Sequence, residues 1–78
     1  MDIVITKHAR DRMMEYEISE EMLINTINNP DNIASGNLNR KIYQKRLNGH
    51  IIRAIVDEGK EIKTVITVYK ARRRRYGI

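Results

Sequence analysis

The spacing of apolar and polar positions changes along the chain, and its first third has the period of helices. Residues 2–6, DIVIT, form a short β-branched run that predicts an opening strand. After Thr6, a favourable N-cap, Ala9, Met13 and Tyr16 recur at helical spacing. This pattern predicts a first helix within TKHARDRMMEYE.

A second helix is predicted in the stretch ISEEMLINTINNP, which carries an apolar stripe at helical spacing. Ser19 is a good N-cap, and Glu20 and Glu21 lie where the helix dipole is positive. Pro30 ends the helix, because proline has no N–H to continue the hydrogen-bond ladder.

After these helices the period becomes two, which is typical of strands. NIASG predicts a short strand and NLNRKIYQKRL a longer one. Asn48 and Gly49 predict a tight hairpin turn into HIIRAIVD, because a type I′ turn needs positive φ at both central positions. EIKTVITVYK is the last and most apolar strand. The order predicts an α+β fold, in which two N-terminal helices pack on one face of a mostly antiparallel sheet of four to five strands.

The Asn48-Gly49 turn also predicts the pairing of the strands that it joins. A two-residue turn pairs Leu47 with His50 and Gln44 with Arg53. Strand alternation then assigns side chains to two faces. The face toward the helices receives Tyr43, Leu47, Ile52, Ala54 and Val56. The opposite face receives Gln44, Arg46 and Arg53.

The turn before the last strand leaves two registers open. A three-residue loop from Glu58 to Lys60 pairs Asp57 with Glu61, and a two-residue loop exchanges the faces of the last strand. The three-residue loop is preferred because it separates apolar from polar side chains better. It assigns to the helix-covered face Ile62, Thr64, Ile66 and Val68. It assigns to the opposite face Lys63, Thr67 and Tyr69.

Length and composition limit the chain to one small domain without covalent cross-links. The 78 residues provide a single core, so 1–78 is interpreted as one domain with a basic segment at 71–78. There is no cysteine, and the two histidines lie far apart, so neither a disulfide, a structural metal site nor another cofactor is expected. No apolar run reaches the length of a membrane span, and the N-terminus does not resemble a signal peptide. A cytoplasmic protein without a membrane partner is expected.

Charge is divided unevenly along the chain. Residues 1–31 carry three Lys/Arg against seven acids, whereas residues 32–78 carry twelve Lys/Arg against three acids. The net charge of +5 is therefore concentrated in the predicted sheet and in the four arginines that follow it. Such a basic half favours a polyanionic partner, RNA or DNA.

The residues present favour one kind of catalysis over others. The sequence has no paired carboxylates near the basic strands, no Ser-His-Asp order and no glycine-rich phosphate loop, which excludes most metal-dependent nucleases and phosphoryl-transfer enzymes. Metal-independent RNA cleavage remains compatible, because RNA supplies its own 2′-OH nucleophile and the protein adds a base, an acid and cations. The candidate acid–base groups are His8, Tyr69, Tyr76 and His50, of which His50 follows the hairpin turn and is interpreted rather as a surface strand residue.

ITKHARDRMMEYEISEEML resembles the opening of a family of small bacterial and archaeal domains of unknown function with an "HA..R…I" helix. IIRAIVD and IKTVITVYKARRRRY resemble the last two strands of that family. The family is placed near the RelE and BrnT toxins of type II toxin–antitoxin modules, within the fold shared by barnase and RelE. The resemblance implies a RelE-like fold and a metal-independent ribonuclease or its inactive descendant. It also implies RNA, either free or on the ribosome, and an acidic antitoxin as partners.

The resemblance also implies site residues. The "HA..R" helix corresponds to His8 and Arg12, and the penultimate strand contributes Arg53. The catalytic residues expected are His8, Arg53, Tyr69 and Tyr76. The nucleic-acid-binding residues expected, including those of the basic sheet face, are Arg12, Arg46, Lys63, Thr67, Arg72, Arg73, Arg74 and Arg75. No metal ligand is expected.

Two other functions are compatible with the same basic face. A non-catalytic RNA- or DNA-binding module would bind with strong salt dependence and leave RNA intact. A protein-interaction domain would use Arg72 to Arg75 to bind an acidic partner.

Overall fold

The protein is described by a computed structural model in which residues 2–78 are placed. Residues 2–78 form an α+β domain of five strands and three helices. In chain order, the elements are β1 (Asp2–Ile5), α1 (Lys7–Tyr16), α2 (Glu20–Asn28), β2 (Asn32–Ser35), β3 (Arg40–Leu47), β4 (His50–Glu58), β5 (Ile62–Arg72) and α3 (Arg73–Tyr76).

Both N-terminal helices begin at the predicted N-caps. The Thr6 hydroxyl accepts a hydrogen bond from the Ala9 N–H, and the Ser19 hydroxyl accepts one from the Met22 N–H. Each cap satisfies a donor that the first helical turn leaves unpaired, which stabilises a helix by about 1 kcal/mol. Glu17 ends α1 in the left-handed conformation, with φ of 56°.

The strand order in the sheet is β1-β5-β4-β3-β2. All neighbouring strands are antiparallel except β1 and β5, which run parallel. Helix α1 packs on β5, and α2 packs on β3 and β4. The predicted arrangement of two helices on a mostly antiparallel sheet is therefore confirmed. Among residues 2–78, no helix is both long and apolar enough to cross a bilayer.

The core lies between the two helices and the face of the sheet that they cover. Leu23 is fully buried in α2 and Ala9 in α1, against Ala54 and Val68 of the sheet. The β3–β4 hairpin has the predicted register, with Leu47 opposite His50 and other pairs following in step. The five side chains predicted to face the helices all belong to the core or pack against it: Tyr43, Leu47, Ile52, Ala54 and Val56.

The predicted register of the β4–β5 hairpin is wrong. Asp57 pairs with Thr64 rather than with Glu61. Val56 pairs with Val65 but the adjacent Ile55 pairs with Thr67, so the register shifts at a bulge between these two pairs. A bulge inserts one extra residue into a strand and reverses its alternation on one side. Val65 therefore enters the core, which contains none of the three residues predicted there before the bulge: Ile62, Thr64 and Ile66.

The bulge also corrects the position of Lys63. Lys63 lies two residues from Val65, on the helix-covered side, and its Nζ lies 4.8 Å from the centroid of the Tyr43 ring. It does not contribute to the opposite face. Thr67 and Tyr69 follow the bulge, pair with Ile55 and Arg53, and keep the predicted face.

The C-terminal residues fold back on the sheet. Strand β5 extends to Arg72, and α3 adds one helical turn whose first N–H, that of Arg73, donates to the Gly49 carbonyl. Ile51 has no exposed surface although it points away from the main core. We infer that the C-terminal turn covers it, so the basic segment is a folded part of the domain.

Candidate nucleic-acid interface on the open face

The open face is defined here as the side of the sheet opposite α1 and α2. A row of four polar side chains crosses it, one from each of β2, β3, β4 and β5: Asn32, Gln44, Arg53 and Tyr69. Arg53 Nε donates to Gln44 Oε1 at 3.0 Å, and Gln44 Nε2 donates to Asn32 Oδ1 at 2.7 Å. Arg53 Nη1 donates to the Tyr69 hydroxyl. The row therefore fixes the orientation of the guanidinium.

Two tyrosines flank the Arg53 guanidinium. Its Cζ lies 3.9 Å from the centroid of the Tyr76 ring and 5.6 Å from that of Tyr69. Within residues 2–78, no carboxylate oxygen lies within 4 Å of Arg53. A half-buried cation that is held by neutral groups favours an anionic ligand, because the ligand would supply the missing counter-charge.

The same surroundings move the pKa values of the two phenols in opposite directions. The pKa of Tyr76 is lowered, chiefly by hydrogen bonding from Tyr69 to its ionised oxygen, and also by the nearby positive charge of Arg53. The pKa of Tyr69 is raised, chiefly by burial. A pair of titratable groups with separated pKa values is the arrangement that general acid–base catalysis uses.

His8 reaches the same strand from the first turn of α1. Its Nε2 lies 3.1 Å from the Thr67 hydroxyl. The position of this turn is fixed by Thr6, whose hydroxyl donates to the carbonyls of Val65 and Ile66. Thr67 and Tyr69 are two residues apart, so their side chains lie on the same side of β5. The four predicted catalytic residues therefore lie on β5 or next to it: His8, Arg53, Tyr69 and Tyr76.

The four consecutive arginines do not have one common role. Arg73 is occupied by the fold, since its Nε donates to the Ile78 carbonyl at 2.9 Å and its Nη1 to the Asn48 carbonyl at 3.2 Å. The other three, Arg72, Arg74 and Arg75, have exposed side chains and line a depression of about 690 Å³. The structure thus leaves three arginines of the run open to a ligand.

Two other predicted binding residues are paired with acids. Arg12 Nη1 lies 2.6 Å from Glu15 Oε1 on α1. Arg46 Nε lies 3.7 Å from Asp31 Oδ2, and the Arg46 backbone N–H also donates to that oxygen at 2.8 Å. This backbone hydrogen bond is the main cause of the lowered pKa of Asp31. Both arginines are therefore less available to phosphate than Arg53.

Gln44 is the functional candidate that the sequence analysis did not select. It is only 4% exposed, and it joins Arg53 to Asn32. The predicted pairing of Gln44 with Arg53 was the available signal, because a buried polar side chain beside an arginine must find a partner. Within residues 2–78, no group of three or more His, Asp or Glu side chains is arranged to hold a metal ion.

Comparison with known proteins identifies a family whose function is not defined. The family model described as "Domain of unknown function (DUF4258)" matches residues 5–70. This range includes the polar row and His8 but ends before the arginine run and Tyr76. No curated protein and no solved structure matches the chain.

Proposed function

The chain belongs to the DUF4258 family, and we propose that it is a metal-independent ribonuclease of the RelE-like toxin type that binds RNA through its open face. The observation that carries this proposal is the Arg53 guanidinium, which has no carboxylate partner among residues 2–78 and lies close to two phenols with separated pKa values.

Arg53 would bind the phosphate at the cleaved bond. Arginine is planar, permanently charged and able to donate two parallel hydrogen bonds to phosphate oxygens. Charge on these oxygens increases in the phosphorane transition state, so a cation already oriented by Gln44 and Tyr69 stabilises that state more than the ground state.

The two tyrosines would transfer the protons. Tyr76, whose lowered pKa favours the ionised phenolate, would in that form accept the proton of the 2′-OH while the 2′-oxygen attacks phosphorus. Tyr69, with the raised pKa, remains protonated and donates to the 5′-oxygen as its bond to phosphorus breaks. The products are a 2′,3′-cyclic phosphate and a 5′-hydroxyl. His8, hydrogen-bonded to Thr67 on the same strand as Tyr69, would be a third candidate proton carrier.

The exposed arginines Arg72, Arg74 and Arg75 would hold the RNA backbone on either side of the cleaved bond. These cations are also the natural contact for an acidic antitoxin, which would block RNA by occupying them. They favour a second candidate function as well. A non-catalytic RNA-binding module needs only these arginines and Arg53, and it needs no proton transfer.

Purified protein incubated with total RNA in EDTA, with and without ribosomes, tests the proposal. Arg53→Ala and Tyr69→Phe run in parallel, and Arg10→Ala serves as a matched arginine control, because Arg10 lies on α1 beside Glu20. Cleavage that survives chelation, is lost in Arg53→Ala and persists in Arg10→Ala supports a ribonuclease. Intact RNA that the protein still shifts on a gel supports the binding module instead. A protein that neither cleaves RNA nor shifts it on a gel would contradict both candidate functions.

A further inference from the structure

A second row of side chains crosses the open face beside the polar row, and it is mostly apolar. Its members pair across the same four strands: Ala34, Ile42, Ile55 and Thr67. Neither α1 nor α2 covers this side of the sheet. Ile42 and Ile55 form the floor of a depression of about 380 Å³, which is bordered by Ser35, Gly36, Asn37 and Arg40. This volume lies within the range of about 300–1,000 Å³ that small-molecule sites commonly have.

The border of this depression is a loop held in a fixed shape. The Gly36 N–H donates to the Arg40 carbonyl at 2.8 Å, and the Arg40 N–H donates to the Asn37 carbonyl at 3.1 Å. Leu38 and Asn39 both have positive φ, of 57° and 63°. A Cβ on Gly36 would lie 3.6 Å from Ile42 Cγ1, so glycine at this position leaves the floor open.

The apolar floor lies one step along the strands from Arg53. Ile55 follows Arg53 by two residues on one face of β4, and Ile42 precedes Gln44 by two residues on β3. Two residues of an extended strand span about 6.6 Å. A ligand that binds Arg53 through a phosphate would therefore place over Ile42 and Ile55 a group that is connected to the phosphate by a few bonds.

We propose that this depression is a nucleobase subsite of the RNA interface. A nucleobase has apolar faces and polar edges, which match an isoleucine floor with Asn37 and Arg40 at the border. The sugar and phosphate of the same nucleotide bridge the short distance to Arg53. The inference rests on the proposed function, because the phosphate at Arg53 places the base.

The test uses short 2′-O-methyl RNA oligonucleotides, which lack the nucleophilic 2′-OH and so report binding without cleavage. Affinity is measured for a fully based tetranucleotide and for four probes with one abasic position each. The protein variants are Asn37→Ala at the border, Ile42→Thr in the floor and Arg53→Ala in the polar row. Ile33→Thr is the matched control, because Ile33 is an exposed isoleucine on the other side of the neighbouring strand. Thermal unfolding of each variant confirms that it is folded.

For wild type, we expect one abasic position to weaken binding by about tenfold, which corresponds to roughly 50 Å² of apolar surface buried on the floor. Ile42→Thr and Asn37→Ala should weaken binding of the fully based probe, leave the abasic probe unchanged, and so reduce that difference. Ile33→Thr should behave as wild type. Equal affinities for all five probes, with Arg53→Ala still abolishing binding, overturn the nucleobase subsite but not the RNA interface. No loss of binding in Arg53→Ala overturns both.

Discussion

The Tyr76 ring and the Arg53 guanidinium are stacked at 3.9 Å although they are separated by most of the last two strands. The contact forms because α3 turns back over the open face after β5. It brings a residue from the C-terminal segment to the cation at the centre of the sheet.

Replacement of Arg53 tests the need for a planar cation. Arg53→Ala should lower the rate of RNA cleavage by roughly 100-fold or more, as the loss of a preorganised transition-state donor does. Arg53→Lys keeps the charge but cannot donate to Gln44 and Tyr69 in the same geometry, so it should restore binding more than cleavage. Single-turnover cleavage and filter binding of the same RNA separate the two effects. Equal cleavage by the lysine variant and wild type would contradict the requirement for the guanidinium geometry.

The cleavage rate should depend on pH with a defined sign. With Tyr76 as the base, as proposed, the rate should rise with pH until the pKa of Tyr76, which lies below the usual tyrosine value of about 10. With Tyr69 as the acid, as proposed, the rate should fall above the pKa of Tyr69, which lies higher than that value. Tyr76→Phe should remove the rising limb and Tyr69→Phe the falling limb. If the rate of Tyr76→Phe still rises with pH, another group is the base, and His8 is the first residue to substitute in a further test.

Arg73 and Arg74 are adjacent in sequence but should differ in their effect on stability. Arg73→Ala loses hydrogen bonds to the Asn48 and Ile78 carbonyls, so the free energy of unfolding should fall by about 1–2 kcal/mol. Arg74→Ala changes an exposed side chain and should stay within about 0.5 kcal/mol of wild type. Urea unfolding followed by circular dichroism measures both. Equal losses would mean that the Arg73 hydrogen bonds contribute no net stability.

The exposed arginines should determine how strongly RNA binding depends on salt. Replacing Arg72, Arg74 and Arg75 together by alanine should reduce the slope of log affinity against log salt by about 2, because each phosphate contact with a single strand contributes about 0.7. The control Lys7→Ala removes a cation that is paired with Asp11 on α1 and should leave the slope unchanged. Fluorescence anisotropy at several salt concentrations gives the slope. The same reduction in the control would indicate a diffuse charge effect.

Local signals in the sequence determined much of the fold. Thr6 and Ser19 could be recognised as N-caps, because a cap requires only one side chain and the N–H groups that follow it. Asn48 and Gly49 predicted the correct hairpin register, with Leu47 opposite His50. The predicted type I′ turn was wrong, because Asn48 has positive φ but Gly49 does not. The predicted pairing of Gln44 with Arg53 followed directly, and with it the centre of the candidate site.

Features that depend on distant parts of the chain could not be predicted. The bulge beside Val65 moves Lys63 to the helix-covered side, and no local pattern marks the extra residue. The arginine run is similarly uninformative, because four identical side chains give no indication that Arg73 alone binds the hairpin turn. The position of Tyr76 depends on that contact, which the sequence does not show.

The C-terminal turn contains exposed bonds at which a protease could cleave the domain. Arg74 and Arg75 are exposed, and proteases of the trypsin class cleave after such residues. A cut there would release Tyr76 while the five paired strands and both large helices remained whole. The product would keep its sheet and the Arg53 cation but lose the stacked ring, so the proposed base would be removed irreversibly while the proposed phosphate contact remained.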